Sequence, residues 1–275
     1  MTNVETRLTE HYSHGGLEAT LLTALAVAGK DVERLSPADL MGADEFHVGG
    51  AAATKALAAQ LGLKPGMAVL DVGSGLGGPA RQMAGFGCRV TGIDLTPEYV
   101  EVANSLTRRM GMAGQVEFRQ ANADRLECAD GSFDGVTLLH VGMNIADKAG
   151  VFGAIHKALK PGGFFAIYDV MRMGEGEIAF PMPWSGEPQT SFVETPADYR
   201  TALAAAGFGI AAERDRGDFA RDFFAQQRAR QADGGAPPVS LGLVLGITGP
   251  KKIANLAGAI GRGVLAPYEI IARKV

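Results

Sequence analysis

Short apolar runs alternate along this chain with longer stretches in which apolar residues recur three and four places apart. The runs predict buried strands at about 68–72, 89–93, 115–119, 134–139, 163–169, 208–215 and 267–274. The amphipathic stretches predict helices near 77–85, 97–111, 148–159 and 196–206. Such alternation folds as an α/β, doubly wound and mainly parallel sheet with right-handed crossovers. The first 50 residues read differently. Leu17, Leu21, Leu22, Leu25 and Ala28 share a helical face, Gly29 ends it, and Ser36 caps a short helix opening on Pro37. Another helix, Thr54 to Leu61, precedes the turn Lys64-Pro65-Gly66.

Two segments interrupt the alternation. Residues 171–195 are rich in Gly, Pro, Met and aromatics. Residues 217–262 hold a charged helix (Asp218–Gln231), a Gly/Pro break, an apolar stretch (Val239–Thr248) and a helix (Pro250–Ile260). The expected organisation is an N-terminal helical lid over residues 1–50 and a domain over 51–275, with cap insertions at 171–195 and 217–262. The lid and caps would roof the carboxyl ends of the strands, where open α/β sheets bind ligands. Val239–Thr248 falls short of the ~20 residues of a membrane span and reads as a buried helix or pocket wall.

The strongest local signal is Val69-Leu70-Asp71-Val72 running into Gly73, Gly75, Gly77 and Gly78, then Ala80 to Met83. This is a strand, a glycine turn and a helix start. Glycine accepts positive φ and lets a ligand approach the backbone, and a helix start offers unpaired N–H groups. Gly73-x-Gly75-x-x-Gly78 satisfies the dinucleotide fingerprint. Asp94, 21 residues past Gly73, ends the second strand and suits a carboxylate that holds a ribose. A nicotinamide or flavin oxidoreductase and a nucleoside-binding transferase both fit. Asp71 argues for the transferase, since a carboxylate inside the first strand suits a ligand with a cationic amino group. No Tyr-x-x-x-Lys supports hydride chemistry.

Composition narrows the partners. Of 275 residues, 47% are hydrophobic and 20% charged, and the net charge of −4 comes without a basic block. Nucleic acid is therefore not an expected partner. Cys88 and Cys128 lie in separate elements and the five histidines are scattered, so no metal site is expected. That cysteine usage suits a reducing cytosol. The polar start MTNVETRLTEHYSHGG has no signal-peptide core. A cytoplasmic location without a membrane span is the expectation.

Four segments in order, VLDVGSGLGG (69–78), GIDLTPEYVEVAN (92–104), DGSFDGVTLL (130–139) and LKPGGFFAI (159–167), resemble the motif series of the class I S-adenosylmethionine-dependent methyltransferases. The resemblance covers about residues 46–170. It implies a Rossmann-like seven-stranded methyltransferase sheet whose last strand is antiparallel. The implied cofactor is S-adenosylmethionine, leaving as S-adenosylhomocysteine. Gly73, Ser74 and Gly75 would run under its methionine part, and Asp71 would fix that loop or reach the ammonium through water. Asp94 would hold the ribose, Leu95 the adenine, and Asn122 with Ala123 the adenine edge. His140, ending the fourth strand, would sit by the sulfonium, touching cofactor and acceptor or serving as a base.

Phe46-His47-Val48-Gly49-Gly50, then Ala53-Thr54-Lys55 ahead of the glycine turn, is similar to the small-amine N-methyltransferases of the phosphobase type. This implies an amine acceptor: glycine, sarcosine, dimethylglycine or a phosphobase. The catalytic histidine of those enzymes falls at Asn144 here. An amide is no general base near neutral pH, so His140 or Tyr12 would have to substitute. His14, Phe46, His47, Asn144, Tyr168, Trp184 and Phe192 are the expected acceptor-binding residues, with His156 on the solvated surface. A hydrophobic quinol or natural product, methylated on carbon or oxygen, is the alternative acceptor. A non-catalytic S-adenosylmethionine sensor is the alternative of another class. A homodimer is compatible with each.

Overall fold

A computed structural model describes residues 6, 12, 15–232 and 239–275. Seven strands form one sheet: β1 (Ala68–Val72), β2 (Arg89–Asp94), β3 (Val116–Gln120), β4 (Phe133–Leu139), β5 (Leu159–Arg172), β6 (Phe208–Asp215) and β7 (Leu265–Lys274). Their order is β3-β2-β1-β4-β5-β7-β6. The first five pair in parallel, and β7 runs antiparallel to both β5 and β6. β7 can lie between β5 and β6 because it is buried continuously from Leu265 to Ala272.

Successive strand residues face opposite sides, and each side is covered by helices. On one side Leu70, Val72, Leu138, Phe165 and Ile167 pack on α6 (Lys148–Ala158) and α7 (Pro196–Ala205) through Phe152, Ile155 and Leu203. On the other, Val69, Val90, Phe164 and Ala166 pack on α3 (Gly50–Ala58), α4 (Gly78–Ala84) and α5 (Pro97–Arg109) through Leu57, Met83 and Ala103. Thr195 and Asp198 close a capping box on α7, with Thr195 N donating to Asp198 Oδ2 at 2.9 Å.

The interrupting segments gather above the strand ends. Leu17, Leu21 and Leu25 of α1 (Leu17–Val27) bury against Tyr99, Val102 and Leu106 of α5 and against Val239 and Val244. Val239 precedes and Val244 lies within α9 (Leu241–Leu245). Met182 and Trp184 pack with Phe224 of α8 (Gly217–Ala232) and with Leu256 and Ile260 of α10 (Gly249–Gly261). The Ser36 cap serves α2 (Pro37–Leu40), where Ser36 N donates to Asp39 Oδ2 at 2.9 Å.

Three expectations need correction. The helix expected at Thr54–Leu61 runs from Gly50 to Ala58, because Gly49 takes a left-handed φ of 92° at its start and three alanines extend it. β5 begins at Leu159 and absorbs the Pro161-Gly162-Gly163 segment through a register shift opposite Phe133 and Gly135. His156 is half-buried, its ring edge-on to Phe208 at 5.2 Å, since α6 turns that face toward the start of β6.

Candidate active site

A cavity of about 1630 Å³ opens over the carboxyl ends of β1 to β4. Its floor begins at the glycine turn. Gly73 N and Ser74 N both donate to Ile93 O, at 2.8 and 3.0 Å, which ties the turn to β2. Gly73 has φ 69°, and a Cβ there would come 2.3 Å from Val141 Cγ2. Gly75 has φ 53°, and its Cβ would come 3.1 Å from the Phe46 ring. Both positions need glycine for conformation as well as for space. Asp94 Oδ2 accepts from Gly75 N, and Oδ1 from Thr96 N, each at 2.9 Å. A carboxylate has about four acceptor sites, so two hydroxyls can still be received. Burial raises the Asp94 pKa and the backbone donors oppose it. Leu95, Asn122 and Ala123 continue this wall. Asn122 Oδ1 accepts from Asp124 N at 3.2 Å, an Asx-type turn.

Asp71 and Ser74 lie behind the turn and are not cavity walls. Asp71 stands in register with Thr137 of β4 and accepts from its Oγ1 at 2.7 Å. Burial pushes its carboxyl up to about 7. Through Oδ1 the side chain braces β1 against β4, while Oδ2 is buried without a hydrogen-bond partner among the described residues.

The opposite side of the floor is the β4 exit. His140 has φ 57°, the one positive φ outside glycine among the described residues. The strain is held from both directions. His140 N donates to Tyr168 O at 2.7 Å, and Asp169 accepts from Val141 N at 2.8 Å and Gly142 N at 3.1 Å. Tyr199 OH donates to the same carboxylate at 2.9 Å. The His140 ring lies between Tyr168 and His47, at 5.2 and 5.8 Å between centroids. Its Nε2 is buried with no hydrogen-bond partner among the described residues. Burial, and then the neighbouring His47, push its pKa well below the ordinary value, which keeps the ring neutral.

Asn144 Nδ2 donates to Tyr12 OH at 3.2 Å, while Asn144 Oδ1 is buried without a partner among the described residues. Tyr12, His140 and Asn144 thus meet at the cavity. Burial raises the Tyr12 pKa above that of an ordinary phenol, so Tyr12 is a hydrogen-bonding group and not a base near neutral pH.

The roof is lined by Phe46, His47 and Trp184, together with Phe223, Phe224 and Ile253 of α8 and α10. Trp184 is an anchor as well as a wall, since its Nε1 donates to Ser191 Oγ at 2.9 Å. Tyr168 and Phe192 are not walls. Tyr168 points into the α3 side of the core and donates to Val48 O at 2.9 Å. Phe192 acts through its backbone, donating to Met143 O and accepting from Lys148 Nζ, both at 2.8 Å. His14 lies outside the described residues.

Glu45, at the wall, also escaped the sequence reading. Glu45 is buried, accepts from Thr54 Oγ1 at 2.8 Å and from Gln82 Nε2, and lies 3.4 Å from His47 Nε2. Burial first, then the charge of Asp44, push its carboxyl up to about 8, and burial lowers His47 to about 4. The available signal was a pair of acids, Asp44-Glu45, directly before Phe46-His47. Among the described residues no group of three or more His, Cys, Asp or Glu could hold a metal ion, and no helix is long and apolar enough to cross a membrane.

The strand order and the glycine turn paired with Asp94 define a Rossmann-like methyltransferase fold. Residues 70–167 match the family model for the methyltransferase domain, of the class that uses S-adenosylmethionine. The sterol 24-C-methyltransferase of Eremothecium gossypii is 35% identical over 172 residues, which are 59% of this chain and 45% of that protein. The chain therefore spans less than half the length of that curated relative. Two solved structures share the fold. Phosphoethanolamine N-methyltransferase 2 of Haemonchus contortus superposes with a TM-score of 0.73 at 20% identity, over 97% of this chain and 60% of that one. Geranyl diphosphate C-methyltransferase of Streptomyces coelicolor gives 0.70 at 17% identity, over 100% and 99%.

Proposed function

We propose that the protein moves a methyl group from S-adenosylmethionine to a carbon of a small, largely apolar molecule, releasing S-adenosylhomocysteine. The observation that carries this reading is the cavity. Its floor has glycines, Asp94 and Asn122 at one end, and Trp184, Phe223, Phe224 and Ile253 enclose the other. At about 1630 Å³ it exceeds the ~300–1,000 Å³ usual for one small ligand, which leaves space for donor and acceptor together. The sterol 24-C-methyltransferase relative and the geranyl diphosphate C-methyltransferase structure, as named, act on carbon, and both support the reading.

Gly73, Gly75, Asp94, Leu95, Asn122 and Ala123 are the residues that would hold the cofactor. When bound, it supplies an electrophilic methyl group whose leaving group is a neutral thioether. The protein's own contribution is alignment and exclusion of water, and such alignment is worth ~7–11 kcal/mol. The lid before residue 50 and the caps at 171–195 and 217–262 would enclose the acceptor.

The amine reading is the rival. The fold shared with phosphoethanolamine N-methyltransferase supports it, and an aromatic wall suits a cationic amine. Against it, Asn144 stands where a base is needed; Arg228 and Arg230 of α8, exposed residues at the cavity wall, are the cations the site would offer a phosphate. The test is release of S-adenosylhomocysteine with mass detection of product. The panel holds a short-chain quinol, a sterol, glycine, sarcosine, dimethylglycine and phosphoethanolamine. Carbon methylation of the quinol or sterol is expected. Turnover of the amines alone would replace the proposal by its rival.

A further inference from the structure

The face that α8 turns to the cavity changes character along the helix. Phe223 and Phe224 are cavity walls, and one turn later so are Gln227, Arg228 and Arg230. A helix rises about 1.5 Å per residue, so the arginines begin about 6 Å beyond the phenylalanines. Both arginines are exposed, and they are the only Lys or Arg residues in the cavity wall among the described residues. The acids of that wall, Glu45, Asp94, Asp124 and Asp147, come from elsewhere: the stretch before α3, the end of β2, the loop after β3 and the start of α6.

Neither arginine forms an ion pair or a hydrogen bond among the described residues. The contrast on the same helix is Arg221, an exposed residue outside the cavity wall, which pairs with Asp218. Arg228 has Phe224, Ala225, Gln231 and Ala232 three and four places away, so its own helix offers it no acid. Cations near the end of a helix complement its dipole on any face. These two stand on the one face that continues the phenylalanine wall.

A guanidinium presents N–H donors in a planar fork that fits two oxygens of a carboxylate or phosphate. Two such forks at the exposed edge of an apolar chamber select a molecule with an apolar body and an anionic end. A neutral molecule of the same shape gains nothing from them, and a cationic one is repelled.

Resting on the reading of a carbon methyltransferase for an apolar molecule, we propose that the acceptor carries a carboxylate or phosphate, bound by Arg228 and Arg230, with its apolar body against Phe223 and Phe224. The anion fixes which way round the molecule lies in the chamber, and so which of its carbons can face the methyl donor. The arginines determine specificity and transfer no proton. Because both are exposed, water and salt screen each contact.

The test is titration calorimetry on the full chain saturated with S-adenosylhomocysteine, whose own binding is measured first. The probes are naphthoate, naphthyl phosphate and methyl naphthoate, one ring system with and without an anionic end. Exposed ion pairs are individually weak, so the anions are expected to bind about five- to thirtyfold more tightly than the ester at low salt. That margin should shrink as salt is raised. Arg228→Gln combined with Arg230→Gln should bring the anions down to the affinity of the ester, with the ester and the melting temperature unchanged. Arg221→Gln should alter none of these values. Whichever anion binds more tightly names the group. Equal binding of anion and ester by the wild-type protein overturns the proposal, and so does absence of anion binding. A preference that survives the double substitution overturns it too, as does an equal loss in Arg221→Gln or for the ester. Failure to bind S-adenosylhomocysteine removes the methyl-donor reading itself and this proposal with it. Methylation of nitrogen in the product panel would instead remove the carbon reading alone, since the anion preference is read by binding.

Discussion

Gly75 donates its backbone N–H to Asp94 Oδ2 at 2.9 Å, so the turn after β1 and the acid that ends β2 form one unit. The acid shapes the turn before any ligand arrives. Asp94→Ala therefore removes two things, the acceptor for a ribose and the anchor of Gly75. Hydrogen bonds to a charged group are worth about 1.5–3 kcal/mol each. The expected loss in S-adenosylhomocysteine affinity is at least about a hundredfold, read by titration calorimetry. Asp94→Asn keeps one acceptor oxygen and should lose less. Equal affinity in Asp94→Ala and wild type would take this residue out of the site.

Gly73→Ala should damage the same end differently. Its φ of 69° already disfavours a side chain, and the new Cβ would meet Val141 Cγ2 at 2.3 Å. A left-handed non-glycine residue costs about 1–3 kcal/mol, and the clash pushes directly on the His140–Asn144 segment. The expected result is a lower melting temperature together with weaker binding of S-adenosylhomocysteine. A variant that keeps both would show that Val141 yields freely.

The cofactor half of this site was legible because its residues are consecutive and cluster at strand ends: the glycines of 73–75 after β1, Asp94-Leu95 at the end of β2, and Asn122-Ala123 just past β3. The acceptor half was not. Phe223, Phe224 and Ile253 meet Phe46 and His47 only when α8 and α10 fold back over the sheet, and no local spacing announces that. Trp184 was named for its residue type and does reach the cavity. Tyr168 was named for the same reason and does not. Period-two reasoning would have placed it with Phe164 and Ala166, on the face that packs against α3. The central strands were readable from their apolar runs, and β3 from the alternation of Val116 and Phe118 with Glu117 and Arg119. The start of α3 was not, because an alanine run has no amphipathic pattern to mark its first turn.

Glu45 makes stability depend on pH. Its carboxyl titrates at about 8 in the folded chain, against an ordinary 4.5. Between those values the unfolded chain has lost the proton and the folded chain still holds it, so stability falls as pH rises through that window. Glu45→Gln keeps the shape and cannot ionise. Its stability relative to wild type should therefore improve by about 1 kcal/mol for each pH unit, as between about pH 6.5 and about pH 7.5, measured by urea unfolding. His47, lowered to about 4, acts in the opposite sense. It costs stability as pH falls from its ordinary value toward 4, and so leaves the higher range to Glu45. Asp71 is present in both proteins and cancels from the difference. Parallel stability curves for the two proteins would show that Glu45 is ionised in the folded state.

His140 tests whether backbone strain is kept for the sake of its side chain. A φ of 57° is a conformation that glycine adopts freely and that costs other residues about 1–2 kcal/mol. His140→Gly and His140→Ala delete the same ring and its packing on His47 and Tyr168. They differ in that alanine keeps the strain and glycine releases it. The glycine variant should be more stable than the alanine variant by about 1 kcal/mol. Both should still bind S-adenosylhomocysteine, since Gly73, Gly75 and Asp94 are untouched. Both should lose turnover relative to wild type, since the His140 ring lines the cavity at the β4 exit. Equal stability of the two would mean that the chain relaxes at this residue and the β4 exit is not held in the strained conformation. Full turnover in either would take the His140 ring out of the reaction.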